Sequence, residues 1–119
     1  MKILLVDDSK TMRNIQKAVL NQLGHSEIEE ACDGVDALSK VGAFQPELLL
    51  VDWNMPNMDG LTFVKQVRAN DAWKGIPIIM VTTEGEKSRI VEAAQAGVNN
   101  YLTKPFTPDL LARKIAAVT

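Results

Sequence analysis

The sequence predicts a single α/β domain in which five short strands alternate with five helices, the helices covering both faces of a parallel sheet. Three observations carry that expectation. The runs ILLV at 3–6, LLLV at 48–51 and IPIIMV at 76–81 are continuously apolar, as in strands buried on both faces. Stretches with apolar residues at helical spacing lie between them. The 119 residues suit one domain, long enough to bury roughly 60–70% of its unfolded surface.

Taken in order, the first strand covers Ile3 to Val6 and ends in Asp7-Asp8. Met12, Ile15, Val19 and Leu23 then recur at helical spacing within residues 10–23, and Gly24 is a stop signal. Glu27 to Ala31 mixes polar and apolar residues, as an edge strand does. Asp33-Gly34 precedes a helix with Val35, Leu38 and Val41 on one face. The third strand, Leu48 to Val51, stops abruptly on Asp52 and turns through NMPNMDG. Leu61, Val64 and Val67 mark the next helix. The fourth strand ends in Thr82-Thr83-Glu84, and Ile90, Ala93, Ala94 and Gly97 share a face of an alanine-rich helix. A second edge strand, Asn99 to Thr103, runs into Lys104-Pro105. Thr107-Pro108 opens the last helix, a hydroxyl N-cap with proline at the first helical position. Leu111, Ile115 and Val118 face inward there. No linker, repeat or low-complexity stretch interrupts the pattern, so the domain is expected to span residues 1–119.

Composition excludes several function classes. A net charge of −2 and pI near 5.3 exert no pull toward nucleic acid or an anionic membrane. Cys32 is the only cysteine, which excludes an intramolecular disulfide and a cysteine-built metal site. Cys32 reads as a small packing residue and His25 as a surface loop residue. No apolar run approaches membrane-spanning length, and Ile3 to Val6 is too short for a signal-peptide core, so a cytoplasmic protein is expected. No G-x-x-x-x-G-K-[ST] occurs, so direct use of ATP is not expected.

The chemistry gathers at the strand ends. Open parallel sheets bind ligands at the carboxyl ends of their strands, near the point where strand order reverses. If strands one and three are neighbours, Asp7, Asp8 and Asp52 converge in one cleft. Three carboxylates that close repel one another unless a cation intervenes. Oxygen donors without histidine or cysteine favour a hard ion, and acids plus waters suit Mg²⁺. Lys104 adds one fixed positive charge. Three acids and one lysine balance only when a divalent ion joins them.

An acidic pair after strand one, Asp52 followed by WNMPNMDG, Thr82 after strand four and Lys104-Pro105 after strand five resemble a receiver domain, the phosphoacceptor module of two-component signalling. DWNMPNMDG, AAQAG and YLTKPFT are most similar to the stand-alone chemotaxis regulators of the CheY type. The resemblance covers essentially the whole chain. It implies a flavodoxin-like (βα)5 three-layer sandwich with strand order 2-1-3-4-5. It also implies that Asp52 accepts the phosphoryl group from a histidine kinase phosphohistidine. Asp7, Asp8, Asp52 and the main-chain carbonyl of Asn54 would hold Mg²⁺. Thr82 and Lys104 would contact phosphoryl oxygens, with a cis peptide at Lys104-Pro105, and Tyr101 would switch with Thr82. Asn54, Thr83 and Glu84 would tune dephosphorylation. Helix 4, strand 5 and helix 5 would form the output face for a target such as the flagellar motor switch. A sensor kinase and a phosphatase are the implied further partners, and the protein is expected to be a monomer.

Other functions compete with this one. A hydrolase of small phosphoesters working through an aspartyl phosphate needs a general acid two residues past the nucleophile, and Asn54 cannot serve. A flavodoxin-like FMN carrier needs a phosphate cradle, and three acids make a poor one. A phosphate sink or scaffold without a motor target would carry the same residues. The expected protein is therefore a signalling phosphoacceptor with intrinsic self-phosphorylation and self-dephosphorylation chemistry, not an enzyme.

Overall fold

The five strands pair in parallel in the order β2-β1-β3-β4-β5. They are β1 (Lys2–Val6), β2 (Glu27–Ala31), β3 (Leu48–Val51), β4 (Ile78–Thr82) and β5 (Asn100–Thr103), joined by helices α1 (Lys10–Gln22), α2 (Gly34–Phe44), α3 (Gly60–Ala69), α4 (Lys87–Ala96) and α5 (Pro108–Val118). The computed structural model describes residues 1–83 and 85–119. Ile3 to Val6 pair with Leu48 to Val51 on one side and with Ile28 to Ala31 on the other. Strand order therefore reverses beside β1, and the carboxyl ends of β1 and β3 lie together at that reversal.

Burial explains the apolar runs. Leu48 to Val51 and Ile3 to Val6 are all at most 1% exposed. Each such side chain contributes about 1.5–3 kcal/mol relative to leaving it in water. Alternate residues face opposite sides, as strand geometry requires. Leu4, Val6, Leu49, Val51, Ile78 and Met80 pack under α2, α3 and α4, with Phe63, Val64 and Val67 of α3 filling that layer. Ile3, Leu5, Leu48, Leu50, Ile79 and Val81 pack under α1 and α5 through Val19, Leu20, Leu111 and Ile115.

Local chemistry starts four of the helices. Ser9, Asp33, Asp59 and Thr107 each accept a hydrogen bond from the backbone N–H three residues on. Each bond satisfies one of the donors that a helix start leaves unpaired. Gly97, at φ +111°, ends α4 in a conformation that glycine adopts without strain.

The inward faces differ from expectation in places. On α1, Gln16, Val19 and Leu20 are buried, whereas Ile15 and Leu23 are exposed. Val19 and Leu20 share the apolar layer of Ile3 and Leu5 of β1, and Gln16, one turn before Leu20, is carried inward with them. On α2, Ala37 and Val41 turn inward and Val35 is exposed, because the tight approach to the β3–α3 loop admits only small residues at the helix start. On α4 only Ala93 is buried, and Ile90 is exposed. Val118 of α5 is half-buried. Cys32 is exposed rather than packed, since it stands just beyond the end of the edge strand β2. No helix among the described residues is long and apolar enough to cross a membrane.

Candidate functional site

β1 and β3 deliver the acids by extending their ladders one step past the strands. The Asp52 N–H donates to the Val6 carbonyl at 2.8 Å, and the Asp7 N–H donates to the Ala31 carbonyl at 3.0 Å. Asp7, Asp8 and Asp52 each place a carboxylate oxygen within 4.8 Å of the others. Asp7 and Asp52 are buried and Asp8 is exposed. The conjunction expected at the β1/β3 reversal is thus met in space.

Lys104 completes the cluster from the end of β5. Its ammonium donates to Asp7 Oδ2 at 2.7 Å and to Asp52 Oδ2 at 3.2 Å. The Lys104 N–H donates to the Thr82 carbonyl at 2.9 Å, which brings the β4 and β5 ends together, and the Lys104-Pro105 bond is cis. Thr82 is fully buried at the end of β4, Tyr101 is half-buried in β5, and Asn54 and Thr83 are exposed. Glu84 lies outside the described residues. Among the described residues, one ammonium, bonded to two of three clustered carboxylates, leaves two negative charges, the number a divalent cation would balance. An all-oxygen donor set open to solvent through Asp8 fits a hard metal ion.

Several supporting residues carry no signal in the sequence. Arg13 of α1 donates to the Asp7 carbonyl at 2.6 Å and to Glu30 of β2 at 3.0 Å, while Lys17 pairs with the same Glu30 at 3.1 Å. Burial pushes the Glu30 carboxyl up, but the hydrogen bonds and charges of Lys17 and Arg13 outweigh it and hold the group below the usual range. Arg13 thereby fixes the β1 end from which Asp7 and Asp8 project. Gly60 presses on the end of β3 from the other side. A Cβ there would lie 2.0 Å from the Asp52 carbonyl oxygen, and the Gly60 N–H donates to the Trp53 carbonyl at 2.8 Å. The D-G pair in the sequence marks a turn but not this contact.

The loop after Asp52 is braced from β2. Asp33 caps α2 through Asp36 N at 2.8 Å and also accepts from Asn57 Nδ2 at 2.7 Å. Gly34 N donates to the Met58 carbonyl at 3.2 Å, and Asn57 sits at φ +65°. The Asp36 N–H and the Asn57 amide hold the Asp33 carboxyl below the usual aspartate range. The folded value is depressed, so the stability Asp33 contributes is complete above its ordinary value of 3.8 and is lost as pH falls through the folded one. The stability gap between wild type and Asp33→Ala, from urea midpoints, is expected to be flat near neutral pH and to close below about pH 4. A gap that widens on acidification would contradict this brace.

The comparisons agree with this geometry. The family model for the response regulator receiver domain matches residues 3–116. Chemotaxis protein CheY1 of Helicobacter pylori strain J99 is 52% identical over 119 residues, covering 99% of this chain and 96% of that protein. A Campylobacter jejuni chemotaxis protein CheY homolog is 50% identical, covering 99% and 92%. Among solved structures, chemotaxis protein CheY4 of Vibrio cholerae superposes with a TM-score of 0.92 at 37% identity, covering 99% of this chain and 98% of that one. With the acids, threonine and lysine gathered on one sheet edge, this chain belongs to the response regulator receiver family.

Proposed function

We propose that Asp52 is the phosphoacceptor of a chemotaxis response regulator and takes its phosphoryl group from a phosphohistidine on a sensor kinase. The observation that carries this reading is the Lys104 ammonium held between Asp7 and Asp52, with Asp8 completing a cluster of carboxylates. An Asp52 oxygen attacks phosphorus in line. The P–N bond breaks, and its electron pair returns to the imidazole nitrogen, which takes up a proton. The acyl phosphate that forms is later hydrolysed by water to inorganic phosphate and the free carboxylate. Catalysis here rests on positioning and on charge neutralisation. Lys104, within bonding distance of Asp52, is placed to pair with a phosphoryl oxygen, and the Thr82 hydroxyl is assigned to a second. Asp7, Asp8, Asp52 and the Asn54 carbonyl would hold Mg²⁺, which supplies positive charge to the transferring group.

Phosphorylation takes Asp52 from about −1 to about −2 and adds acceptor oxygens. Movement of Thr82 toward them would free space for Tyr101, biasing α4, β5 and α5 toward the form that a motor-switch target binds. Exposed Ile90, Val91 and Leu110 on those helices suit such a surface. In this reading the protein works as a cytoplasmic monomer and not as an enzyme in its own right, with Asn54, Thr83 and Glu84 setting the phosphate lifetime and a phosphatase shortening it. Asn54, an amide in the position where a hydrolase needs an acid, argues against phosphoester turnover.

The test is intact mass after incubation with acetyl phosphate and Mg²⁺. A gain of one phosphoryl group is expected, and no gain would overturn the reading. A second measurement concerns Thr83, which is exposed and lines an open cavity of about 360 Å³ together with Lys104 and Pro105. In this reading its branched side chain, beside Lys104 at the opening, narrows the approach to Asp52. Thr83→Ala is expected to speed phosphorylation by acetyl phosphate about threefold, a change below 1 kcal/mol in the barrier. Equal rates would remove Thr83 from the account.

A further inference from the structure

Among the described residues, the start of α4 has the weakest local support of any helix in the fold. Its N-cap, Glu86, makes no side-chain cap bond, and its first turn holds no acid. Lys87 and Arg89 stand there instead, cations at the end of the helix dipole that disfavours them. Only Ala93 is buried along the helix, whereas α3 buries five residues. What does meet the first turn is Trp53. The Arg89 guanidinium lies 5.0 Å from the centroid of the Trp53 ring. Trp53 is 3% exposed and directly follows Asp52.

The other end of α4 is held differently. Arg68 Nε donates to the Gly97 carbonyl at 3.0 Å, Nη1 to the Lys74 and Ile76 carbonyls at 2.9 and 2.8 Å, and Nη2 to Asn99 Oδ1 at 2.8 Å. Burial pushes the Arg68 guanidinium down, yet every bond it makes is to a neutral oxygen. Arg68 thus ties the Gly97 end of the helix and Asn99 just beyond it to the segment before β4, while among the described residues Arg89 on Trp53 is the side-chain hold at the other end.

We infer that Arg89 is a positioning residue whose stack on Trp53 latches the first turn of α4 to the acceptor loop, and that phosphorylation of Asp52 draws Arg89 off the ring and frees that turn to pivot about the end held by Arg68. The inference rests on Asp52 being the acceptor. The physical reason is a competition for one guanidinium. In the resting protein it is exposed and held by a ring quadrupole, a weak attraction at such a site. A phosphoryl group adds charge one residue from that ring and offers charge-assisted hydrogen bonds, the stronger kind. The glycine at φ +111° that ends α4 gives the helix a joint at the fixed end.

Hydrogen exchange of residues 86–91 in the full chain tests this, in wild type, Arg89→Ala and Arg89→Lys, with and without acetyl phosphate and Mg²⁺. Intact mass is read on the same samples. At rest, Arg89→Ala is expected to exchange about two- to fivefold faster than wild type, the factor an exposed cation–π contact carries. Arg89→Lys should stay close to wild type. Phosphorylation is expected to speed wild type by a similar factor and to leave Arg89→Ala nearly unchanged, an absence of further response that a merely structural role would not produce. Equal exchange of wild type and Arg89→Ala at rest overturns the latch. So does an equal acceleration of both on phosphorylation. Absence of a mass gain overturns the acceptor reading instead, and the resting comparison of the three proteins still decides the stack.

Discussion

Asp52→Asn is expected to gain no mass from acetyl phosphate and, in EDTA, to unfold at a higher urea concentration than wild type. The first half follows from the chemistry, because an amide offers phosphorus no anionic oxygen. The second follows from the charges. At an effective dielectric constant of about 20, the Asp7–Asp52 repulsion, acting within 4.8 Å, costs at least about 3.5 kcal/mol, while the Lys104–Asp52 attraction at 3.2 Å returns about 5 kcal/mol. Removing the charge also removes the cost of burying it, several kcal/mol for an ion. Lys104 keeps its shorter bond to Asp7 at 2.7 Å, so it is not stranded. The balance favours the amide by about 1–3 kcal/mol, within the range found when buried charges are replaced by neutral groups of similar volume. Titration with Mg²⁺ should narrow the gap, since an ion that binds only the folded protein stabilises it by mass action, and wild type holds the fuller donor set. A variant less stable than wild type in EDTA, or one that gains as much from Mg²⁺, would refute this account of the cluster.

Gly60→Ala is expected to be the most damaging small substitution near the site. The added carbon would stand 2.0 Å from the Asp52 carbonyl oxygen, 2.9 Å from its carbonyl carbon and 3.0 Å from Trp53 Cα. All three are backbone atoms, so no side chain can rotate out of the way. The chain has to shift at α3 or at the end of β3, at a cost of about 3 kcal/mol. If β3 gives, Asp52 moves relative to Lys104 and Asp7, and a displacement near 1 Å is worth about a hundredfold in rate. Gly75→Ala is the control, because a carbon there meets nothing within 4 Å. Urea midpoints and the rate of mass gain measure both effects. A Gly60→Ala protein as stable and as reactive as the control would show that the backbone accommodates the carbon without strain.

The sequence was most legible where one residue type meets one physical demand. Leu48 to Val51 announce a strand buried on both faces because no other short element places four consecutive apolar side chains out of water. Thr107 announces a helix start because its oxygen pairs with an N–H only three residues away, and Asp33 and Asp59, read as residues before a helix and in a turn, cap α2 and α3 in the same way. Asp7, Asp8, Asp52 and Lys104 could be placed on one edge because parallel strands bring their carboxyl ends to the same side. The choice between Ile15 and Leu20 was not legible, since the face that turns inward carries the polar Gln16 and only the packing partner selects it. Arg13 on Asp7, Asn57 on Asp33 and Arg89 on Trp53 are contacts between separate elements. Spacing along a chain says nothing of them. The exposure of Ile90 and Val91 reverses the usual meaning of apolar residues, and the pattern alone could not tell a core-facing stripe from a surface one.

The central place of β3 has a consequence for genetics. Its backbone is paired on both sides, by β1 and by β4, so its amides open only when the whole domain does. Substitutions among Leu48 to Val51 should therefore act by lowering the amount of folded protein in the cell, where a loss of 1–2 kcal/mol changes abundance several-fold. Substitutions on the thinly buried α4 should leave abundance alone and alter what the cell does with the protein it has. Null alleles and miswired alleles ought to sort between strand and helix.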